Sequence, residues 1–338
     1  MSAVEVDLLI VGAGPVGLFG AYYAGVRGLK VAVVDSLSQV GGQVSALYPE
    51  KQILDIAGFP AVPGRRLISN LVEQAAPYDP VYLLGQEAQQ LERVPRADRP
   101  DLLIVKTRTG TEIAAGAVVI TGGIGTFTPR PLPAGEDFVG KGLEYFVTSS
   151  AEYAGKDVVV VGGGDSAVDW ALMFQPIAAS VTLVHRRESF RAHHGSVERL
   201  KASSVQVVTN AQVTTTKGGE QLEAIEVAVK GEREPRTIVC QKLVAALGFT
   251  AHLGPLRDWG IELNDNRHLV VSSAMRTNVP GIFAAGDITD YDGKVRLIAV
   301  GFGEVATAVN NAAVHVDPAA QLFPGHSTDN PASVPAPA

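Results

Sequence analysis

Two stretches of the chain share one hydrophobic grammar. In the first, the apolar, β-rich run Val6–Val11 ends in the glycine-rich GAGPVG. Leu18–Arg27 then follows a helical pattern and Lys30–Asp35 a second strand. Strand, glycine turn, helix and strand make a βαβ unit. The second stretch begins at Asp157, with a strand over Val158–Val161, the turn GGGDSA, a helix through Val168–Phe174 and a strand over Val181–His185. Between them Gly41–Pro63, rich in Gly, Tyr and Pro, reads as loop and Arg66–Ala76 as helix. Leu102–Thr107 and Ala117–Thr121 read as strands separated by a TGTE turn. Further strands are expected at Val205–Thr209, Leu222–Val229, Thr237–Ala246 and Ile282–Ala285, and a helix of small apolar residues at Leu297–Val314.

Gly-punctuated segments at Thr121–Arg130 and Ala246–His252 are flanked by strands and read as crossings between domains. The second unit is then inserted in the first. The expected domains are 1–120 with 248–328, and 121–247 between them, on paired hinges that suggest a rotation. Residues 329–338 hold too little apolar surface to order themselves and are expected to form a mobile tail.

Composition narrows the function classes. With 338 residues, 46% hydrophobic and 19% charged, the chain can bury two cores. A net charge of −7 makes nonspecific nucleic-acid binding a poor fit. The single cysteine, Cys240, excludes an internal disulfide, a CxxC centre and a cysteine-built metal or iron–sulfur site within one chain. The opening MSAVEVDLLIVGAG has no basic n-region before its short apolar run, so no signal peptide is expected, and no run is long enough to span a membrane. A cytoplasmic protein is expected.

Gly12, Gly14 and Gly17 form GxGxxG between strand and helix. The first allows a tight turn, the second a close approach of backbone to a pyrophosphate, the third close helix–strand packing. Asp35 ends the next strand twenty-one positions after Gly14, where a carboxylate reaches ribose hydroxyls. Gly162, Gly164 and Ala167 form GxGxxA, a variant suited to nicotinamide dinucleotides. The strand after it ends not in an acid but in His185-Arg186-Arg187, with Arg191 close behind. Guanidinium groups pair with a 2′-phosphate that an acid would repel, which favours NADP(H) over NAD(H). Gly286-Asp287 then follows the apolar GIFAA shortly before a helix.

These three elements together resemble the flavin-dependent pyridine-nucleotide disulfide reductase superfamily, with a length similar to its low-molecular-weight thioredoxin reductases. The stretch before the second glycine motif, Tyr145 to Tyr153, holds none of the CxxC cysteines that thioredoxin reductases carry there, so dithiol relay is excluded. GGQVSALYPEK (Gly41–Lys51), DIAGFP (Asp55–Pro60) and GHST (Gly325–Thr328) resemble the thioredoxin-reductase-like ferredoxin–NADP⁺ reductases, over nearly the whole chain to about Thr328.

That resemblance implies an α/β fold of two Rossmann-like, three-layer ββα domains, FAD in the first and NADP(H) in the inserted second. FAD contacts are implied at Asp35, Gln43, Tyr48, Ala88, Phe127, Asp287 and Thr328, with Asp287 on the ribityl chain. Tyr48 is implied to stack on one isoalloxazine face and His326 to cover the other, from its own chain or the partner of a homodimer. Asp55 reads equally as a group near flavin N5 or a loop cap. The implied reaction passes hydride between NADPH and FAD and single electrons to or from ferredoxin or flavodoxin. Lys51, Arg65, Arg66 and Arg130 are candidates for a basic landing surface. A quinone, flavin or ferric-iron acceptor is the alternative enzyme reading, and an NADPH-binding flavoprotein sensor the alternative without turnover.

Overall fold

The structure is a computed structural model and describes residues 3–326. The chain forms two compact units. One runs to Phe127 and resumes at Ala251; the other is Thr128–Thr250. Both crossings fall later than the expected 121 and 248. Thr121 stays with the first unit because its N–H donates to Val11 O (2.8 Å) and its hydroxyl to Gly12 O (2.8 Å). Gly248 stays with the second because its carbonyl accepts the Arg130 N–H (3.0 Å). The crossing segments Thr126–Pro129 and Phe249–His252 pair as a two-stranded sheet.

In the first unit β1 (Val4–Val11), α1 (Pro15–Val26) and β2 (Val31–Asp35) form the opening βαβ, and α2 (Gly64–Ala75) packs beside α1. β3 (Glu112–Ile120) lies on the other side of β1. Val11 stands in register with Val34 and Ile120, so three strand carboxyl ends meet at Gly12, Asp35 and Thr121. That edge of a parallel sheet is where ligands bind in open α/β folds. Leu8, Leu9, Ile10, Val31 to Val34 and Val118 to Ile120 are buried on both sheet faces, as parallel strands under helices require. The first half of β3 turns to antiparallel partners, Leu102–Thr107 and then Ala88–Val94.

The loop expected over Gly41–Pro63 contains a short helix, Gly42–Leu47, and a strand pair, Gln52–Ile53 with Val62–Pro63. The reason is apolar. Val44, Ile53, Ile56 and Val62 bury themselves against Leu67, Ile68 and Leu71 of α2.

The second unit repeats the βαβ with β4 (Asp157–Val161), α3 (Asp165–Phe174) and β5 (Ser180–Val184). Its five-stranded sheet is parallel throughout. An antiparallel meander, Ala211–Gly218, Leu222–Val229 and Arg236–Val239, packs on that sheet through Val213, Ile225 and Val227. The strand expected over Thr237–Ala246 is two strands, Arg236–Val239 and Lys242–Ala245. The break falls where the chain changes sheets. Cys240 N–H still donates to Glu223 O in the meander, and Gln241 N–H already donates to Asp157 O beside β4. Cys240 is fully buried there, and burial pushes its thiol up to about 12.

The chain then completes the first unit. β6 (Ile282–Ala284) pairs with the second half of β3, and α4 (Ile298–Val316) packs on α1.

Candidate functional site

A cleft opens over the strand ends of the first unit. Gly12, at φ +116°, makes its tight turn, and a Cβ there would lie 2.7 Å from Thr121 O. A Cβ on Gly17 would lie 1.9 Å from Gly12 O, so helix and strand meet this closely only because residue 17 is glycine. Gly14 is extended and has open space where its side chain would stand. The first-turn amides of α1 have no side-chain cap and no acidic neighbour in that turn. A bare backbone, free N–H groups and the positive end of a helix dipole fit a pyrophosphate.

Asp35 stands at the end of β2 in the cleft wall. Its carboxylate accepts the Ala13 N–H (2.6 Å) and the Leu37 N–H (2.8 Å). Burial raises its pKa against the lowering effect of those two bonds. Asp35 therefore also fastens the glycine turn to β2, a duty its position in the motif does not reveal. Gln43 lines the same cleft, with its Nε2 beside Gly123, whose φ of +60° favours glycine. Gln86, Glu87 and Ala88 line the wall near Asp35.

Tyr48 and Asp287 are brought together in this cleft, and Asp55 is close enough to act on Tyr48 electrostatically. Burial first, then the Asp287 and Asp55 charges, push the Tyr48 hydroxyl up to about 12. Burial likewise raises Asp287, opposed by Lys294 and Arg296. His326 is exposed, packs edge-on to Phe323 at 5.3 Å and is not part of the cleft lining. Thr328 lies outside the described residues, as does the side chain of Phe127. Of the four basic residues expected to form a landing surface, Arg65 is salt-bridged to Glu50. Its charge is already matched. Arg66 and Arg130 are exposed, and Lys51 is half-buried.

The second unit carries its own glycine turn. A Cβ on Gly162 would lie 2.5 Å from Ala246 O and 2.8 Å from the buried Ala167 Cβ. Gly164, like Gly14, borders open space. The segment after β5 folds back onto this turn: Arg191 N–H donates to Gly163 O (2.8 Å), and His193 N–H to Asp165 Oδ1 (2.7 Å). His185 is buried beneath, its ring stacked on Phe190 at 5.1 Å, and a Cβ on Gly163 would strike that ring. Burial lowers the His185 pKa and so favours its neutral form. Arg186, Arg187 and Arg191 are exposed, and no carboxylate lies in salt-bridge range of them among the described residues. Three unmatched cations held beside an open glycine turn suit a phosphate. Sequence spacing does not mark Asp165, His185 and Gly163 for these duties; the GGGD and HRR strings hold them, but only the folded-back segment shows their partners.

The model described as pyridine nucleotide-disulphide oxidoreductase matches residues 6–312. The chain belongs to that family. A ferredoxin–NADP reductase of Nocardioides sp. is 60% identical over 328 residues, covering 97% of this chain and 98% of its own. Ferredoxin–NADP reductase 2 of Oceanobacillus iheyensis is 48% identical over 329 residues, covering 95% and 97%. Among solved structures, thioredoxin reductase of T. acidophilum aligns at TM-score 0.75 and 26% identity, over 91% of this chain and 98% of that one. This pyridine nucleotide-disulphide oxidoreductase has one cysteine, buried, and hence no dithiol pair in a single chain. Among the described residues no cluster of His, Cys, Asp and Glu could hold a metal ion, and no helix is long and apolar enough to cross a membrane.

Proposed function

We propose that the protein is an FAD-dependent ferredoxin–NADP⁺ reductase. The observation that carries this is the pairing of two glycine turns of opposite charge, one with Asp35 and one with Arg186, Arg187 and Arg191, in a chain without a dithiol. The names of relatives at 48 to 60% identity support the same activity. Bound FAD supplies the conversion between a hydride from NADPH and the single electrons that an iron–sulfur partner accepts.

The chain's residues bind and orient. Gly12, Gly14 and Gly17 with the α1 N-terminus hold the FAD pyrophosphate, Asp35 its adenosine ribose, and Gln43, Ala88, Phe127 and Thr328 further parts of the cofactor. Asp287 takes the ribityl chain. Tyr48 would cover one flavin face, and His326, which is outside this cleft lining in its own chain, would cover the other from a second copy of a homodimer. Gly162, Gly164 and Ala167 take the NADP(H) pyrophosphate and the three arginines its 2′-phosphate. On this reading the first unit is the FAD domain and the second the NADP(H) domain, and a chain with one cysteine suits a reducing cytoplasm.

Tyr48 has no proton to give in this scheme. With its hydroxyl titrating at about 12, it stays protonated across the working range. The pH profile of flavin reduction by NADPH is expected to be the same in Tyr48→Phe as in the parent from about pH 7 to about pH 10. A limb present in the parent and lost in Tyr48→Phe would make the hydroxyl a participant.

The proposal is tested by mixing the purified protein anaerobically with NADPH, and separately with NADH, and following flavin bleaching by stopped flow. Oxidised ferredoxin is then added. Fast bleaching by NADPH, slow bleaching by NADH and reoxidation by ferredoxin are expected. Reoxidation only by quinone, free flavin or ferric iron would move the activity to that acceptor. A flavin that NADPH does not bleach would leave a sensor instead of an enzyme.

A further inference from the structure

Behind the Gly286-Asp287 turn lies a charge pair that the scheme above does not use. The Lys294 and Glu304 side chains are only 3% and 5% exposed, and Lys294 Nζ donates to Glu304 Oε1 at 2.5 Å. Tyr291 OH donates to the same oxygen at 2.6 Å. Glu304 Oε2 accepts the Gly286 N–H at 2.7 Å. The sequence arranges this by spacing. Gly301 and Glu304 lie three positions apart on one face of α4. A Cβ on Gly301 would lie 3.4 Å from Gly286 Cα and 2.5 Å from Val16 Cγ2, so glycine lets α4 press onto the turn. At that distance the next turn of the helix brings Glu304 to the Gly286 amide.

Gly286 itself is at φ +83°, and its carbonyl accepts both the N–H (3.0 Å) and the hydroxyl (2.8 Å) of Thr289. The turn is thus held at both ends, with Asp287 facing the cleft from within it. An ion pair is a poor choice if stability were the whole need, because desolvating two charges offsets their attraction. A carboxylate here does what an apolar side chain cannot, which is to accept the Gly286 N–H. It also sets a negative charge near Asp287, which Lys294 cancels. The charges acting on Asp287 are Lys294, Arg296 and His268, which favour its ionised form, and Glu304, which opposes it; Tyr48 neighbours it across the cleft.

We propose that Glu304 and Lys294 are positioning residues for the flavin cofactor. Glu304 fixes the Gly286-Asp287 turn, and Lys294 neutralises Glu304 so that Asp287 faces the cofactor as a single negative charge. This rests on the reading of the first cleft as the FAD site.

The test uses the whole protein with bound FAD and reads two quantities, the midpoint potential of the flavin and its dissociation constant. The variants are Lys294→Met, Glu304→Gln and the double variant. Lys294→Met leaves an uncancelled buried carboxylate and is expected to lower the potential and weaken FAD binding about tenfold or more. Glu304→Gln keeps an oxygen for the Gly286 N–H but leaves Lys294 uncancelled, and is expected to raise the potential. The double variant is neutral, can still accept the Gly286 N–H and is expected to return both readings to within about threefold of the parent. A purely structural role would move both single variants in the same direction, and that result, or no shift in either, overturns the proposal. Should a single variant fail to fold, the double variant decides, and its failure also overturns it. A parent protein that neither carries nor takes up FAD would overturn the reading of the cleft itself, a result separate from any variant.

Discussion

The Gly17→Val protein is expected to emerge from purification without flavin and to unfold well below the parent's temperature. A Cβ at position 17 meets Gly12 O at 1.9 Å and Thr121 Oγ1 at 2.7 Å. Neither can retreat cheaply. Gly12 is fixed by its N–H bond to Val34 O (2.8 Å), and the Thr121 hydroxyl donates to Gly12 O (2.8 Å). The start of α1 must therefore lift off β1, which opens the turn that would hold the pyrophosphate. Overpacking of this kind costs about 3 kcal/mol, here concentrated at the binding turn. Gly14→Ala is the control. Nothing lies within 4 Å of a Cβ there, so the apoprotein is expected to melt like the parent while FAD affinity falls. Thermal unfolding of the apoproteins, beside flavin content after purification, separates the two effects. A Gly17→Val protein with full flavin content and an unchanged melting temperature would show that helix and strand are not in essential contact here.

Replacing Arg186, Arg187 and Arg191 together with alanine is expected to abolish the preference for NADPH. A hydrogen bond to a charged group contributes about 1.5–3 kcal/mol. All three guanidinium groups are exposed, so the low end applies to each, since solvent screens them. With two of the three guanidinium groups on the phosphate, their loss raises KM for NADPH about 100-fold, with kcat and the NADH parameters nearly unchanged. Added salt is expected to weaken NADPH binding to the parent and leave the triple variant less affected. Steady-state kinetics with both nucleotides decide the matter. Equal losses for NADPH and NADH would mean that the arginines serve the shape of the segment and not the phosphate.

Both glycine turns, the strands and helices around them and the inserted arrangement are legible in the sequence because each depends on local pattern. Apolar runs of strand length, glycine at fixed offsets and a terminal Asp or Arg are short-range signals. What stays hidden depends on distant partners. Ala88–Val94 is a strand of mostly polar residues, exposed at Gln90, Glu92 and Arg93, and pairing with Leu102–Thr107 is what makes it one. Gly42–Leu47 hides inside a turn-rich stretch and is helical because Val44 finds the α2 cluster. The expected crossings fall early because glycine spacing marks where a chain can bend, while the hydrogen bonds of Thr121 and Gly248 decide to which unit each residue belongs. In the site, the distance from Gly14 is enough to single out Asp35. No such spacing marks the Lys294–Glu304 pair, because its members approach each other only once α4 has docked on Gly286.

The discontinuity of the first unit also dictates an order of assembly. The second unit is one uninterrupted segment, Thr128–Thr250, and can complete its sheet as soon as its own residues have left the ribosome. The first unit cannot. β3 waits for β6, α1 for α4, and the turn that presents Asp287 is made of residues synthesised after the whole inserted unit. Until then the second half of β3 is paired on the β1 side alone, and the apolar faces meant for α4 stay uncovered. Contacts of such long sequence separation form slowly, and exposed strand edges in the meantime invite aggregation. The earliest-made nucleotide turn is thus the last to be finished, and a chain cut short before α4 would hold its second fold and never its first.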